Sequence, residues 1–569
     1  MIEPVSARRR DQVASVAILT AALGYGLVAA GAYEWRLLGL AGCYAIAMIG
    51  YQRLFGELGV LSLAQGAFFA IGAYAVALLN GHGVSEMALA LPAAIATAII
   101  VAALCSLPLL RLGSHYLALA SLAVAMLVLL AAVNLDGLTG GANGLILSTA
   151  PRWLGMTANG NAALAAIVAG MAIVAALAYW GSGGGLAILR RVVLRETPRA
   201  AAALGLRAST WQRGAFCFAA ALAALGGGLY APLSGVVSPQ TAELALMVNL
   251  LAATVIGGRG KVSGALLGAL LLVLLPETLR FAGNWYLFLW GAALLFMLIV
   301  LPSGLAGLLD AALNRAIAPR WTTAARRATG QAPAADLRLQ ALHKSFGGVV
   351  AVDGVSLDLH AGQALVVIGP NGAGKTTLLN LLCGTVRPDR GQLMWRGVDI
   401  GRSDAPARAL LGIARSFQTS DLAMGVAALD AVASGAQHVG DLAAARGAAM
   451  DLLQSLGLAD RATLASESLA PAQRRLVEIA RAMMARPALL ALDEPTAGLN
   501  AEERDHLLAA LSRWRAAGLA LFVIEHDIEF AVALADRLCC LDQGRVVALG
   551  EPTTLRAEPD LARFFGRAR

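Results

Sequence analysis

The stretch ALVVIGPNGAGKTTLL, residues 364–379, decides half of the fold. A short apolar run enters a glycine-rich turn, and a helical pattern opens at Lys375. Gly369, Gly374, Lys375 and Thr376 satisfy the spacing G-x-x-x-x-G-K-[ST] in the strand-then-helix context that defines a phosphate loop. The glycines let backbone N–H groups face an anion, and the helix N-terminus adds partial positive charge. Asn371, Gly372 and Thr377 belong to the same cradle. Only three of the 44 basic residues are lysine: Lys261, Lys344 and Lys375. A lysine at this point is therefore informative, because ammonium and guanidinium are not interchangeable at a tight phosphate site. Lys375 is expected to reach the β and γ phosphates of ATP, and the Thr376 hydroxyl to ligate Mg²⁺.

Working downstream, LLALDE (489–494) is an apolar run that ends on two carboxylates. Asp493 is expected to hold Mg²⁺, and Glu494 to orient and deprotonate the attacking water. LALFVIEHD (519–527) repeats the pattern and delivers His526, expected at the γ-phosphate. Gln418 in RSFQTS (415–420) lies between the phosphate loop and this pair, where it is expected to sense both Mg²⁺ and a neighbouring domain. Short β-rich runs alternate with helical patterns from Asp336 to the end, which predicts an α/β domain over 336–569 with a largely parallel sheet.

Upstream, the character changes. The whole chain is 58% hydrophobic and 14% charged, with a mean hydropathy of +0.69. That is too apolar for a soluble protein of 569 residues and predicts membrane spans in the first 310. Ten apolar segments approach the spanning length of about 20 residues: 13–33, 37–52, 60–79, 87–107, 115–133, 161–180, 215–234, 243–257, 264–280 and 285–301. Two are short, 37–52 and 243–257, so eight to ten spans in a lipid bilayer are expected. With a cytoplasmic N-terminus, Arg8–Arg10, Arg53, Arg111, the cluster from Arg190 to Arg213, Arg259 and Lys261 all fall inside, as the positive-inside bias requires. An even number of spans then leaves the α/β domain in the cytoplasm. Residues 311–335 are basic, Ala-rich and contain Pro319 and Pro333, which reads as a linker. The spans are almost free of ionisable residues, against a proton-relay carrier. Gln65 and Ser62 are expected to hydrogen-bond between helices rather than line a path. The six cysteines form no CxxC or Cys/His cluster and read as buried thiols. No cleavable secretory signal is seen, and no nucleic-acid partner is expected.

The ordered set from the phosphate loop through Gln418, Leu469–Gln473, Asp493–Glu494, residues 497–500 and His526 resembles the ATP-binding subunit of ABC transporters. In that family an aromatic at the place of Phe346 stacks on adenine, which implies the same of Phe346 here. The upstream half is similar to the permease of branched-chain amino-acid-type ABC importers at LSLAQGAFFAIGAYAVALL (61–79), LTGGANG (138–144), RETPRAAAALG (195–205) and VIGGRGKVSGALLGALLLVLLPE (255–277). The same group is echoed downstream by RRLVEIAR, PTAGLN and VIEHD. The resemblance implies a permease fused to its ATPase in a bacterial inner membrane. It further implies a second permease subunit, a second ATPase subunit and a periplasmic solute-binding protein as partners. RETPRAAAALG is expected to form one short cytoplasmic coupling helix, with Arg195 and Glu196 at its start and the small residues Ala200 and Gly205 docking on the ATPase.

One part departs from the family. Its signature LSGGQ reads Leu469-Ala470-Pro471-Ala472-Gln473 here. Ala470 has no hydroxyl, Pro471 has no N–H, and Ala472 adds a Cβ where close approach favours glycine. In the family this segment caps the ATP of the other subunit, so the defect falls on the partner's site. That implies a heterodimer with an ATPase whose own signature is intact. Two other readings stand beside this one: a nucleotide-binding regulatory pseudo-transporter with little flux of its own, and a half-exporter with about six long spans.

Overall fold

The computed structural model describes residues 4–29, 31–112, 114–158, 160–313, 334–416 and 421–565. They divide into two compact units, one made of described residues within 4–184 and 209–313, the other of those within 185–208 and 334–565.

The first unit is helical. Each of the ten apolar segments holds a helix: Pro4–Ala29, Ala32–Tyr51, Gln65–Gly81, Met87–Leu109, Ser114–Asn134, Asn161–Gly181, Ala208–Ser234, Leu244–Gly257, Val262–Thr278 and Tyr286–Val300. Six helices among the described residues are long and apolar enough to cross a membrane, and a seventh span arises if the pair bent by 41° at Phe288–Val300 and Leu305–Leu313 is counted as one. The expected short segment at 37–52 is corrected. A π-helical turn, Gln52–Glu57, prolongs it to a full-length span, Ala32–Glu57. The charge that ends the apolar run in sequence, Arg53, is neutralised locally. Its guanidinium lies 4.3 Å from the centre of the Tyr179 ring, donates to Ser182 Oγ at 2.9 Å and stands 3.4 Å from Glu57. The short helices are Gln65–Gly81, Leu244–Gly257 and Val262–Thr278.

Ala32–Glu57 and Ala208–Ser234 are 72% buried along their apolar windows, whereas the other four long helices are 22–39% buried. Those two form the interior, and the rest turn a face outward. Glycine makes the contact between them possible: a Cβ at Gly226 would collide with the carbonyl oxygen of Cys43. As expected, Gln65 Nε2 donates to two helix carbonyls, Ala47 and Ala219, each at 3.0 Å. Asp11 is buried beside the start of Val262–Thr278, where its carboxylate accepts from Val262 N (3.1 Å), Ser263 N (2.9 Å), Ser263 Oγ (2.7 Å) and Trp180 Nε1 (2.9 Å). A carboxylate at a helix N-terminus satisfies donors that have no partner within the helix.

The second unit is built on a six-stranded sheet. Its order is Ile413–Arg415, Leu489–Asp493, Ala520–Ile524, Ala364–Ile368, Arg537–Asp542, Arg545–Gly550, with every neighbour parallel except the last pair. The middle strands are apolar throughout because both faces are covered. Ala364, Val366, Leu490, Leu492, Leu521 and Val523 point into one core, while Leu365, Val367, Leu489, Ala491, Phe522 and Ile524 point into the other. A four-stranded antiparallel sheet carries Val349–His360, Asp336–Phe346, Arg390–Trp395 and Val398–Asp399.

Within residues 1–310, one described segment groups with the cassette instead of the helical unit. Gly185–Ala208 belongs to the cassette's unit because Leu186 (3% exposed) and Leu189 (1%) are part of its core. The expected linker over 311–335 falls mostly on residues 314–333, outside the described residues.

A buried ion pair braces the helical part of the cassette. Arg446 donates from Nε to Asp430 Oδ1 at 2.7 Å and from Nη2 to Oδ2 at 2.9 Å, with both side chains fully enclosed. Arg446→Ala leaves a charge buried without its counter-ion and is expected to cost about 3–5 kcal/mol. Thermal unfolding of the detergent-solubilised chain should show this as a fall in Tm of roughly 10 °C. Replacing both residues by apolar ones of similar volume should recover most of it.

Candidate nucleotide site and coupling segment

The sheet register brings the site together. Asp493 pairs with Ile524, and Ile524 with Val367. The carboxyl ends of three adjacent strands therefore release Glu494, Glu525 and Gly369 along one edge, the usual place for a ligand on a parallel sheet. Gly369, Pro370, Glu525 and His526 line a single cavity there.

The phosphate loop runs from the end of Ala364–Ile368 to the helix Lys375–Leu382. Gly374 caps that helix at φ 97, a left-handed conformation, and a Cβ on it would strike the carbonyl oxygen of Ala351. Asn371, Gly372 and Thr376 are exposed, Thr377 is half-buried and Lys375 is buried. Lys375 Nζ donates to the carbonyls of Gly369 (2.7 Å) and Pro370 (3.0 Å), which holds the ammonium at the mouth of the loop. Burial pushes its pKa below the ordinary lysine value, and the Glu494 and Asp493 charges oppose that shift.

Asp493 is buried at its strand end. Oδ2 stands 3.8 Å from Arg415 Nη2, whereas Oδ1 has no hydrogen-bond partner. Burial raises its carboxyl above the usual range, with Arg415 opposing. A divalent cation would offset that penalty, so the unpartnered oxygen and the exposed Thr376 hydroxyl fit Mg²⁺. No cluster of three His, Cys, Asp or Glu side chains occurs among the described residues. A cation would therefore complete its coordination with phosphate and water. Glu494 holds a left-handed backbone at φ 50, its N–H donates to Ile524 O at 2.8 Å, and its Oε1 lies 3.0 Å from His526 Nε2. Gln418 lies outside the described residues.

Phe346 ends its strand opposite Val349 and is 48% exposed, with the Lys344 ammonium 5.3 Å from its ring centre. Ala351, two residues past Val349, lies against Gly374, so the hairpin of Phe346 adjoins the phosphate loop.

The signature segment differs from expectation in one respect. Pro471 is the first residue of the helix Pro471–Met483, where a missing N–H costs the helix nothing. Gln473 Oε1 accepts the Ala470 N–H at 3.2 Å. The helix N-terminus is therefore intact; the serine hydroxyl and one N–H are what this segment lacks. Leu469 and Ala472 are buried, while Ala470 and Pro471 are exposed.

The coupling segment is two helices rather than one, Gly185–Glu196 and Pro198–Ala203. Pro198 keeps Thr197 out of the helical region (φ −132, ψ 66). Arg195 and Glu196 thus close the first helix instead of opening the second. Glu196 Oε2 accepts the N–H of Met424 at 2.9 Å, and its Oε1 pairs with Arg195 at 2.8 Å. Arg190 donates to Ala436 O, and Gln437 to Leu204 O. Ala200 is buried, and Gly205 lies against Leu410 and Gln437.

Two residues escaped the reading of the motifs. Arg475, on the signature helix, is buried and donates to the carbonyls of Asp493 and, at 3.3 Å, Glu494. Glu525 is buried next to His526. The signal each carried was one-sided: Arg475 is followed by the core residues Leu476 and Val477, and Glu525 follows the core residue Ile524.

A nucleotide-hydrolysing cassette joined in one chain to a polytopic helical region defines an ATP-driven membrane transporter. The family model for the branched-chain amino acid transport system permease component matches residues 35–301, and that for the ABC transporter matches 352–497. The high-affinity branched-chain amino acid transport ATP-binding protein BraF of Pseudomonas aeruginosa is 34% identical over 247 residues, 40% of this chain and 96% of BraF. LivG of Escherichia coli, of the same description, is 32% identical over 248 residues, with the same two shares. The cobalt import ATP-binding protein CbiO of Rhodobacter capsulatus is 38% identical over 219 residues, 38% of this chain and 78% of CbiO. A solved ATP-binding cassette of an ABC transporter aligns with 40% of this chain and 98% of its own at 25% identity and a TM-score of 0.37. The chain belongs to the ABC transporters of the branched-chain amino-acid type, with permease and ATPase in one multi-pass membrane polypeptide.

Proposed function

We propose that this chain imports branched-chain amino acids or a related small solute across a bacterial inner membrane. It would work with a second permease, a second ATPase that has an intact signature, and a periplasmic solute-binding protein. The observation that carries the reading is the meeting of the phosphate loop, the unpartnered Asp493 oxygen and the Glu494–His526 pair at one sheet edge.

Lys375 and the loop N–H groups bind the β and γ phosphates, and Phe346 stacks on adenine. Thr376 and Asp493, with Gln418, would hold Mg²⁺, which when bound would offset the charge of the triphosphate. Glu494 accepts the proton of the attacking water, and His526 orients the Glu494 carboxylate and contacts the γ-phosphate. The Ala470–Gln473 helix N-terminus faces the partner's nucleotide with fewer donors than a serine-glycine signature, so this chain's own site carries the faster turnover. The pair of helices ending at Glu196 and Ala203 transmits closure of the cassettes to the spans.

Reconstitution with the two partner subunits tests this reading. Labelled leucine-like amino acids, urea or amides, and small aromatic acids are offered outside vesicles that contain ATP. Uptake of at least one class, dependent on the binding protein, is expected. Extrusion of solute, or ATP turnover without flux, would overturn it.

A further inference from the structure

Glu525 follows the strand Ala520–Ile524 and is 1% exposed, and its N–H donates to Val367 O at 3.2 Å. Its two carboxylate oxygens serve different loops. Oε1 accepts the N–H (3.0 Å) and the hydroxyl (2.7 Å) of Thr496, two residues beyond Glu494. Oε2 accepts the N–H groups of His526 (2.8 Å) and Asp527 (3.2 Å). One planar group thus fixes the turn that leaves Glu494 to the loop that begins with His526.

The restraint has something to restrain. Glu494 sits at φ 50, a conformation that a residue other than glycine keeps only where its surroundings hold it. Its N–H is tied to Ile524 and its carbonyl to Arg475, so the turn at Thr496 is the next point of control. The 3.0 Å contact between Glu494 and His526 bridges the two loops that Glu525 joins. Burial raises the Glu525 carboxyl, and the four donors act in the opposite direction. A glutamine has one acceptor oxygen and one amino group, so it must turn donors toward donors on one of the two loops.

We propose that Glu525 is a positioning residue for ATP hydrolysis, setting the register between the Glu494 carboxylate and the His526 imidazole. The proposal rests on the assignment of Glu494 as the base. In the reconstituted complex, Glu525→Gln is expected to lower kcat at least about tenfold with KM for ATP changed less than about twofold, as expected of a misplaced catalytic group. Thr496→Val removes one donor and keeps the shape. It should lower kcat about three- to tenfold with Tm unchanged, and Thr496→Ser should restore it to within about twofold. Glu494→Gln is measured alongside. Loss of turnover there with full turnover in Glu525→Gln and Thr496→Val overturns the positioning role alone. Full turnover in Glu494→Gln removes the base assignment and this proposal with it. An equal loss of ATP affinity and kcat in Thr496→Val, without rescue by serine, marks a merely structural contact and also overturns it.

Discussion

Glu494→Gln in the assembled complex is expected to cut ATP turnover about 10²- to 10⁴-fold, the range over which a positioned general base acts. The substitution keeps the shape and the 3.0 Å approach to His526 but removes the proton acceptor. ATP affinity should change little, because in the proposed site Lys375 and the loop N–H groups, not Glu494, make the phosphate contacts. The asymmetry of the signatures sharpens the expectation. In the proposed assembly Ala470–Gln473 would serve the partner's nucleotide with no hydroxyl and one N–H fewer, so the partner's site should contribute little to the total. The equivalent change in the partner should therefore leave most turnover in place. The chain assembled only with itself should turn over ATP slowly, since both its sites would then be capped by the poorer signature. Strong ATPase activity from that assembly would sink the heterodimer reading.

Lys375→Ala is expected to abolish solute accumulation in vesicles. It removes a buried ammonium from the mouth of the phosphate loop, and charge-assisted hydrogen bonds are worth about 1.5–3 kcal/mol. ATP affinity should therefore fall roughly ten- to a hundredfold. Lys375→Arg should not restore transport, because a planar guanidinium cannot take the place of a compact ammonium among the Gly369 and Pro370 carbonyls. Accumulation unchanged in Lys375→Ala would break the link between the cassette and flux.

The meeting of these motifs at one sheet edge was largely legible in the residues. Gly369–Thr376, Asp493, Glu494 and His526 each follow an apolar strand, and a fully covered parallel sheet lines up strand ends whatever else the chain does. The ten apolar segments were likewise visible, because hydrocarbon demands long runs without charge. Their lengths were less so. Arg53 ends a run in sequence, yet Tyr179, Ser182 and Glu57 absorb its charge and the helix continues through it.

What motif order could not supply is the set of contacts between residues far apart in the chain. Glu525 looks like one more acid beside a histidine until Thr496 is seen folded back onto it. Arg475 looks like a surface charge on the signature helix until the carbonyls of Asp493 and Glu494 are found at its tip. Arg190 counts in sequence only as the start of a basic cluster between spans, yet Leu186 and Leu189 make its helix, Gly185–Glu196, part of the cassette's core. Local periodicity and loop chemistry specify elements and the groups they display. Which buried charge steadies which catalytic group depends on packing across the sheet, and only the folded chain decides that.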